Sequence, residues 1–241
     1  LEIFLEKNKY INIIYILYFL HLYGFCIDMD KLMELKNKYK FYLIEDAAQA
    51  HGSTYNNKKL GTFGEIGCFS FYPSKNLGSF GEGGAIITDN EIYYNFAKKY
   101  RNYGCIKKYE WEIKGFNERM HNIQAAILNV KLKYLDTWID KRILIANKYL
   151  LELDGVGDIS LPIRKDWAKQ AYHLFVIRTD RRDNLKEYLF DQGIQTGIHY
   201  PVSLPKLKAY EYAKQADEQM FANSSDATLL SLPIGEHLSE E

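Results

Sequence analysis

Apolar runs and helical periodicity divide the first part of the chain into strand and helix candidates. Residues 29–39 place apolar side chains three and four positions apart among lysines, which predicts a short amphipathic helix. Compact apolar runs at 41–44, 66–72 and 85–88 are typical of buried strands. The uncharged stretch 10–27 predicts a further strand that runs into a loop. A helix between apolar strands predicts an α/β fold with a mostly parallel sheet.

The stretch 10–27 has a second interpretation, because eighteen uncharged residues after a basic tripeptide could form a membrane span. That length is at the short limit for a span, and polar residues such as Asn12 and His21 interrupt it. We therefore expect a buried strand and no membrane segment. The chain begins at Leu1, which we interpret as an incomplete N-terminus.

The second part of the chain begins with a stretch of helical periodicity. From Asn117 to Trp138 apolar side chains recur at three- and four-residue steps, which predicts a long helix with Asn117 as its N-cap. The sequence DGVGD at 154–158 interrupts this pattern.

A smaller α+β unit follows the interruption. Its pattern predicts a strand at 172–178, a helix at 183–192 and a strand at 194–199. We therefore predict two domains: 1–150, which is part of a large domain with its long connecting helix, and 151–241, a small C-terminal domain.

Composition limits the classes of partner. The chain has 31 basic and 31 acidic side chains, so no overall field favours a nucleic acid or an anionic membrane. Its three cysteines are widely spaced, which fits a reducing cytoplasm and no disulfide framework. The six histidines show no metal-ligand spacing, so we expect no metal.

The segment FSFYPSKNLGSFGEGGA places Lys75 directly after an apolar strand and surrounds it with glycines, where backbone can approach a ligand closely. A partly buried lysine in such a place can form a Schiff base with pyridoxal 5'-phosphate, PLP. The alternative is a solvated surface charge. The glycines do not match GxGxxG, and a strand follows them where a dinucleotide site has a helix, so we exclude that site.

Asp46 follows a strand within EDAAQAHG, together with Gln49 and His51. Because carboxyl ends of parallel strands meet at one edge, Asp46 and Lys75 are expected to lie close together. A carboxylate there would keep a pyridine nitrogen protonated. The alternative is a helix cap or turn residue. Ser70 and Asn117 are candidates for binding a phosphate.

Four motifs carry a resemblance: IEDAAQAHG, CFSFYPSKNLGSFGEGGAI, RNYG and GFNERMHNIQAA. In this order and spacing they closely resemble the DegT/DnrJ/StrS family of PLP-dependent sugar aminotransferases. The resemblance implies the aspartate-aminotransferase fold, a large α/β domain with a mostly parallel sheet and a smaller C-terminal domain. Members of the family are longer, so the chain is expected to lack an N-terminal portion.

The resemblance also implies roles for residues. Lys75 would carry the cofactor and shuttle the proton, Asp46 would pair with the pyridinium, and Gln49 would lie beside the ring. Ser70 would hold the phosphate, and Asn117 would reach the cofactor of a neighbouring subunit, which implies a homodimer with shared active sites. In the segment IHYP, His199 and Tyr200 would contact the sugar, and packing at a strand end is the alternative for both.

The expected activity is amino transfer from an amino acid, with glutamate as the expected donor, to a nucleotide-linked keto sugar in amino-sugar or O-antigen biosynthesis. The form PSKNLG looks most like members that aminate C3, so a dTDP- or UDP-linked 3-keto sugar is expected. A 4-keto sugar is the nearest alternative, and an inactive, truncated binding or regulatory module is another. Related sugar dehydratases typically have histidine at the lysine position, so Lys75 argues against that activity.

Overall fold

The computed structural model describes residues 1–2, 5–6, 15–214, 217 and 219–238. The chain divides into two compact units. Unit 1 comprises Leu1–Asp140 and Asp166–His173, and unit 2 comprises Lys141–Lys165 and Leu174–Glu241. The predicted domains 1–150 and 151–241 stay a prediction for the complete protein.

Within the described residues, unit 1 contains seven strands, three whole α-helices and the first part of a fourth. Its strands are β1 (Ile16–Leu20), β2 (Tyr42–Asp46), β3 (Thr54–Tyr55), β4 (Lys58–Lys59), β5 (Ile66–Ser70), β6 (Gly84–Ile87) and β7 (Ala168–Lys169). Its helices are α1 (Met29–Tyr39), α2 (Glu91–Tyr100), α3 (Asn122–Lys131) and the first part of α4 (Leu135–Glu152).

The main sheet has the order β1-β2-β5-β6. Strands β1, β2 and β5 are parallel, and β6 returns antiparallel to β5 through the loop 71–83. The register pairs Leu20 with Asp46 and Asp46 with Cys68, so the carboxyl ends of three strands share one edge. The predicted mostly parallel sheet is therefore confirmed, as are the bounds predicted for α1.

The core of unit 1 lies between α1 and one face of the main sheet. Met29 and Leu32 of α1 and Leu43 of β2 are buried there. The opposite face is open, with Ile16 63% and Tyr18 60% exposed in the described chain. The strands thus alternate between buried and exposed positions here, whereas the sequence predicted burial on both faces.

The predicted start of the long helix is wrong. Helix α3 begins at Asn122, and its N-cap position is His121. Asn117 instead forms a β-bridge with Asn102. Backbone hydrogen bonds hold this segment extended, with Tyr103 N donating to the carbonyl oxygen of Phe116 at 2.8 Å. Because its backbone is committed to that bridge, Asn117 cannot cap the helix.

Unit 2 contains an antiparallel pair, β8 (Phe175–Arg178) and β9 (Leu229–Leu232), with helices α5 (Arg182–Asp191) and α6 (Phe221–Ser225). The predicted strand at 194–199 does not form. Only Gly197 bridges to the sheet, through two hydrogen bonds with the backbone of Ser231. In the chain as described, no helix is long and apolar enough to cross a membrane, and positions 10–14 of the stretch discussed above lie outside the described residues.

A buried carboxylate fastens a loop to the main sheet. Glu45 of β2 is fully buried and accepts four hydrogen bonds, from His21 Nε2 at 3.0 Å and from the backbone N–H groups of Gly61, Phe63 and Gly64 at 2.6–2.8 Å. Burial alone would raise the pKa of Glu45, but these hydrogen bonds lower it. The charged carboxylate therefore fixes residues 61–64 beside the strand ends.

We expect Glu45→Gln to lower the free energy of unfolding by about 3 kcal/mol, because an amide NH2 would face the N–H donors that now converge on an oxygen. Urea denaturation at neutral pH measures this. Since the folded pKa of Glu45 is lowered, its contribution is complete above the unfolded pKa of about 4.5 and is lost as pH falls through the folded value.

The matched control is Glu34→Gln, which changes an exposed glutamate on α1 and should alter stability by less than about 0.5 kcal/mol. Equal stability of the Glu45→Gln protein and the wild type would contradict the role given to this carboxylate.

Candidate active site

The carboxyl edge of the parallel strands places Asp46 close enough to Lys75 for its charge to act on the amine. Asp46 is the last residue of β2, and Lys75 lies in the turn after β5, where its backbone N donates to the carbonyl oxygen of Tyr72 at 2.9 Å. Burial lowers the pKa of the Lys75 amine, and the charge of Asp46 opposes this shift. The amine therefore loses its proton more readily than an exposed lysine and is a better nucleophile.

The turn that carries Lys75 is held from two sides. A Cβ on Gly78 would lie 2.3 Å from the carbonyl oxygen of Pro73, so only glycine allows this close approach. Asn76, which is buried, donates from Nδ2 to the carbonyl oxygen of Ala171 at 2.9 Å and contacts His173 Nδ1 through Oδ1 at 3.2 Å. Lys75 thus extends from a fixed backbone.

Both oxygens of Asp46 accept hydrogen bonds. Ala48 N donates to Oδ1 at 3.0 Å, and the hydroxyl of Tyr18 donates to Oδ2 at 2.5 Å. The first bond forms an Asx-type turn, which is the turn role given as the alternative for Asp46. The second comes from the neighbouring strand β1 and restrains the orientation of the carboxylate.

Two further predicted residues lie in the same unit. Gln49 is buried, and its Oε1 accepts a hydrogen bond from Tyr23 N at 2.5 Å. Ser70 ends β5, and its Oγ accepts from Tyr72 N at 3.3 Å. Ser70 therefore lies at the same edge of the sheet as Asp46, five residues before Lys75.

His51 is a buried histidine that the sequence analysis did not assign to the site. It is 4% exposed, and neither ring nitrogen has a hydrogen-bond partner among the described residues. Its ring packs beside Phe69 at 5.4 Å and Phe71 at 5.7 Å. Burial and then the charge of Lys75 lower the pKa of His51 to about 4. Its place two residues after Gln49 in EDAAQAHG was the available signal.

The sequence profile of the DegT/DnrJ/EryC1/StrS aminotransferase family matches residues 15–241. The chain belongs to this family. A dTDP-3-amino-3,4,6-trideoxy-alpha-D-glucose transaminase of Streptomyces venezuelae is 42% identical over 219 residues, which are 90% of this chain and 58% of that protein. The chain therefore spans less than two thirds of the length of that relative.

Solved structures of the family are similar in fold. S. venezuelae DesV in complex with a ketimine intermediate has a TM-score of 0.88 at 42% identity, over 94% of this chain and 61% of that one. NtdA from Bacillus subtilis with bound cofactor PMP has a TM-score of 0.83 at 31% identity, over 94% of this chain and 53% of that one. The predicted fold class is confirmed.

The residues at the strand ends fit the cofactor that membership of the DegT family implies. The Lys75 amine suits a carbonyl group, the Asp46 carboxylate suits a protonated ring nitrogen, and the Ser70 hydroxyl suits an anionic group. The two unpartnered nitrogens of His51 are buried polar atoms that a bound ligand or water could satisfy. Lys75, Asp46 and Ser70 thus offer groups that suit the carbonyl, the ring nitrogen and the phosphate of PLP.

The remaining predicted site residues lie far from Asp46 and Lys75 along the sequence. Asn117 is exposed, and its Oδ1 accepts from Arg119 Nε at 3.0 Å. His199 and Tyr200 belong to unit 2, where His199 Nδ1 lies 2.9 Å from Ser231 Oγ and burial lowers the pKa of His199. Roles for these three residues stay predictions.

We expect the imidazole of His51 to stay neutral down to about pH 5, because its pKa is lowered to about 4. An NMR titration of the ring protons measures this, and a His51→Gln variant identifies the signal. Since the folded pKa lies below the ordinary histidine pKa of 6.5, His51 contributes stability that is complete above pH 6.5 and is lost as pH falls towards 4. A midpoint near 6.5 would show that His51 is not buried beside a cationic amine.

Proposed function

We propose that the complete protein is a PLP-dependent aminotransferase that transfers an amino group from an amino acid, glutamate as first choice, to a nucleotide-linked keto sugar. The observation that carries the proposal is the position of Lys75, a partly buried amine with a lowered pKa, at the carboxyl edge of the sheet where the charge of Asp46 acts on it. A lysine with a lowered pKa beside a carboxylate at such an edge is typical of catalytic sites.

Each residue has a defined task in this proposal. When bound, PLP supplies an electron sink for the carbanion formed at the amine-bearing carbon. Lys75 Nζ binds the cofactor carbonyl and then holds and returns the proton at the substrate carbon. Asp46 keeps a proton on the ring nitrogen, and Ser70 Oγ binds the phosphate. Gln49 lies beside the ring.

We further infer that the sugar is a dTDP- or UDP-linked 3-keto hexose. The lysine motif PSKNLG and the name of the S. venezuelae relative, a dTDP-3-amino sugar transaminase, support C3. His199 and Tyr200 are proposed to contact the sugar. Steady-state assays of matched 3-keto and 4-keto nucleotide sugars with glutamate test this choice, and a higher kcat/KM for the 4-keto sugar would reverse it.

A homodimer with shared sites is part of the proposal. Phe96 and Tyr100 of α2 stack at 5.5 Å, and Tyr100 contacts Phe116 at 5.2 Å. These three rings are 40–55% exposed and form a patch directly before Asn117. A second copy covering this patch would bring Asn117 to the phosphate of the neighbouring cofactor.

The covalent step is tested in the complete protein by loading it with PLP, reducing with borohydride and mapping the labelled peptide. We expect the label on Lys75. Lys75→Ala should lose the label and lower turnover by at least about 10³-fold while the far-UV circular dichroism is unchanged. Lys133→Ala, which removes an exposed lysine, should match the wild type. Normal transamination by Lys75→Ala would exclude the proposed mechanism.

The dimer is tested with Phe96→Asp, which puts a charge in the aromatic patch. We expect light scattering coupled to size-exclusion chromatography to show a monomer or at least a tenfold weaker dimer, because burying an unpaired carboxylate costs about 2 kcal/mol or more. Tyr94→Asp is the control, since Tyr94 is equally exposed on another side of α2. An unchanged dimer in Phe96→Asp would move the interface elsewhere.

A further inference from the structure

A short hydrogen bond to Asp46 comes from Tyr18, a residue outside the four family motifs. Tyr18 lies in β1, two residues before Leu20, which pairs with Asp46. Residues two apart on a strand share a face, so Tyr18 and Asp46 are on the same side of the sheet. The hydroxyl of Tyr18 lies 2.5 Å from Asp46 Oδ2.

The phenol of Tyr18 is the donor in this hydrogen bond. Partial burial and the hydrogen bond to Asp46 raise the pKa of Tyr18, so the phenol keeps its proton and acts as the donor. A donor to a carboxylate stabilises the negative charge on the acceptor. Asp46 therefore holds its charge in one orientation, with Ala48 N on Oδ1 and Tyr18 on Oδ2.

Two other titratable groups interact with Asp46 in the described chain. Cys68 is its register partner on β5, and burial and then the charge of Asp46 raise the pKa of this thiol. Lys75 is the cation whose pKa Asp46 raises against the effect of burial. Neither group donates a described hydrogen bond to Asp46, so Tyr18 is the described side chain that orients it. Each carboxylate oxygen has a second lone pair, which leaves acceptor capacity for a ligand.

We propose that Tyr18 is a positioning residue that holds the Asp46 carboxylate in place and sets its strength as an acceptor for the ring nitrogen of the cofactor. This inference rests on the proposed function. A pre-oriented carboxylate loses no side-chain freedom when the cofactor binds, and the phenol donor moderates its negative charge.

The test is Tyr18→Phe in the complete protein, with Tyr42→Phe as the matched control, because Tyr42 is an exposed tyrosine on the same face of the neighbouring strand β2. PLP is titrated into the cofactor-free protein to measure its dissociation constant. We expect this constant to rise about threefold to tenfold in Tyr18→Phe, because the substitution removes a hydrogen bond to a charged group. Tyr42→Phe should leave it unchanged.

A second readout is the pH midpoint of the visible absorbance of the bound cofactor. Without the phenol donor the negative charge of Asp46 is less stabilised and attracts protons more strongly. Protons on the bound cofactor are then held to higher pH, and the midpoint of its visible absorbance should rise by several tenths of a unit. A double-mutant cycle completes the test: in an Asp46→Asn background, Tyr18→Phe should have no further effect on either quantity.

The outcomes separate this inference from the proposed function. Wild-type affinity and an unmoved midpoint in Tyr18→Phe, with the label still on Lys75, would overturn the role of Tyr18 alone. The same loss of affinity in the Asp46→Asn background would overturn it too, because Tyr18 would not act through Asp46. Failure of the wild type itself to bind PLP would overturn the proposed function and this inference together.

Discussion

Alternation of side chains along a strand is the constraint on which this site depends. At the end of β2, Glu45 points into the core of unit 1 and Asp46 points to the opposite face. The two carboxylates belong to adjacent residues and have different roles. Glu45 is fully buried and fixes the loop 61–64 through three hydrogen bonds, and Asp46 keeps acceptor capacity for a ligand. A shift of register by one residue would exchange their places and destroy both arrangements.

Desolvation sets the charge state of the groups around that edge. Burial depresses the pKa of Lys75 and of His51, so the amine is more nucleophilic and the imidazole is neutral. The negative charge of Asp46 acts against burial at Lys75. The site therefore balances a desolvated amine against one oriented carboxylate, and this balance suits reversible covalent binding and proton return.

The sequence predicted the parts of the fold that depend on local pattern. The bounds of α1 were correct, because its Asp28 cap and its apolar spacing are both local signals. Placement of Asp46 and Lys75 at one edge followed from strand order alone. The start of α3 and the strand at 194–199 were wrong, because tertiary pairing decided them: Asn117 bridges to Asn102, and only Gly197 finds a partner in β9. The roles of Glu45, His51 and Tyr18 depend on contacts with residues 16 or more positions away or on burial, which hydrophobic periodicity does not show.

The thiol beside Asp46 gives the carboxylate a second effect. Cys68 is its register partner on β5, and burial together with the charge of Asp46 raises the pKa of that cysteine. Because the thiolate is the form that reacts with peroxide and with alkylating reagents, the sulfur is kept in its unreactive form. The charge that would hold a proton on a cofactor thus also protects the edge of the sheet from oxidative damage, and thiol reagents would be poor probes of this site.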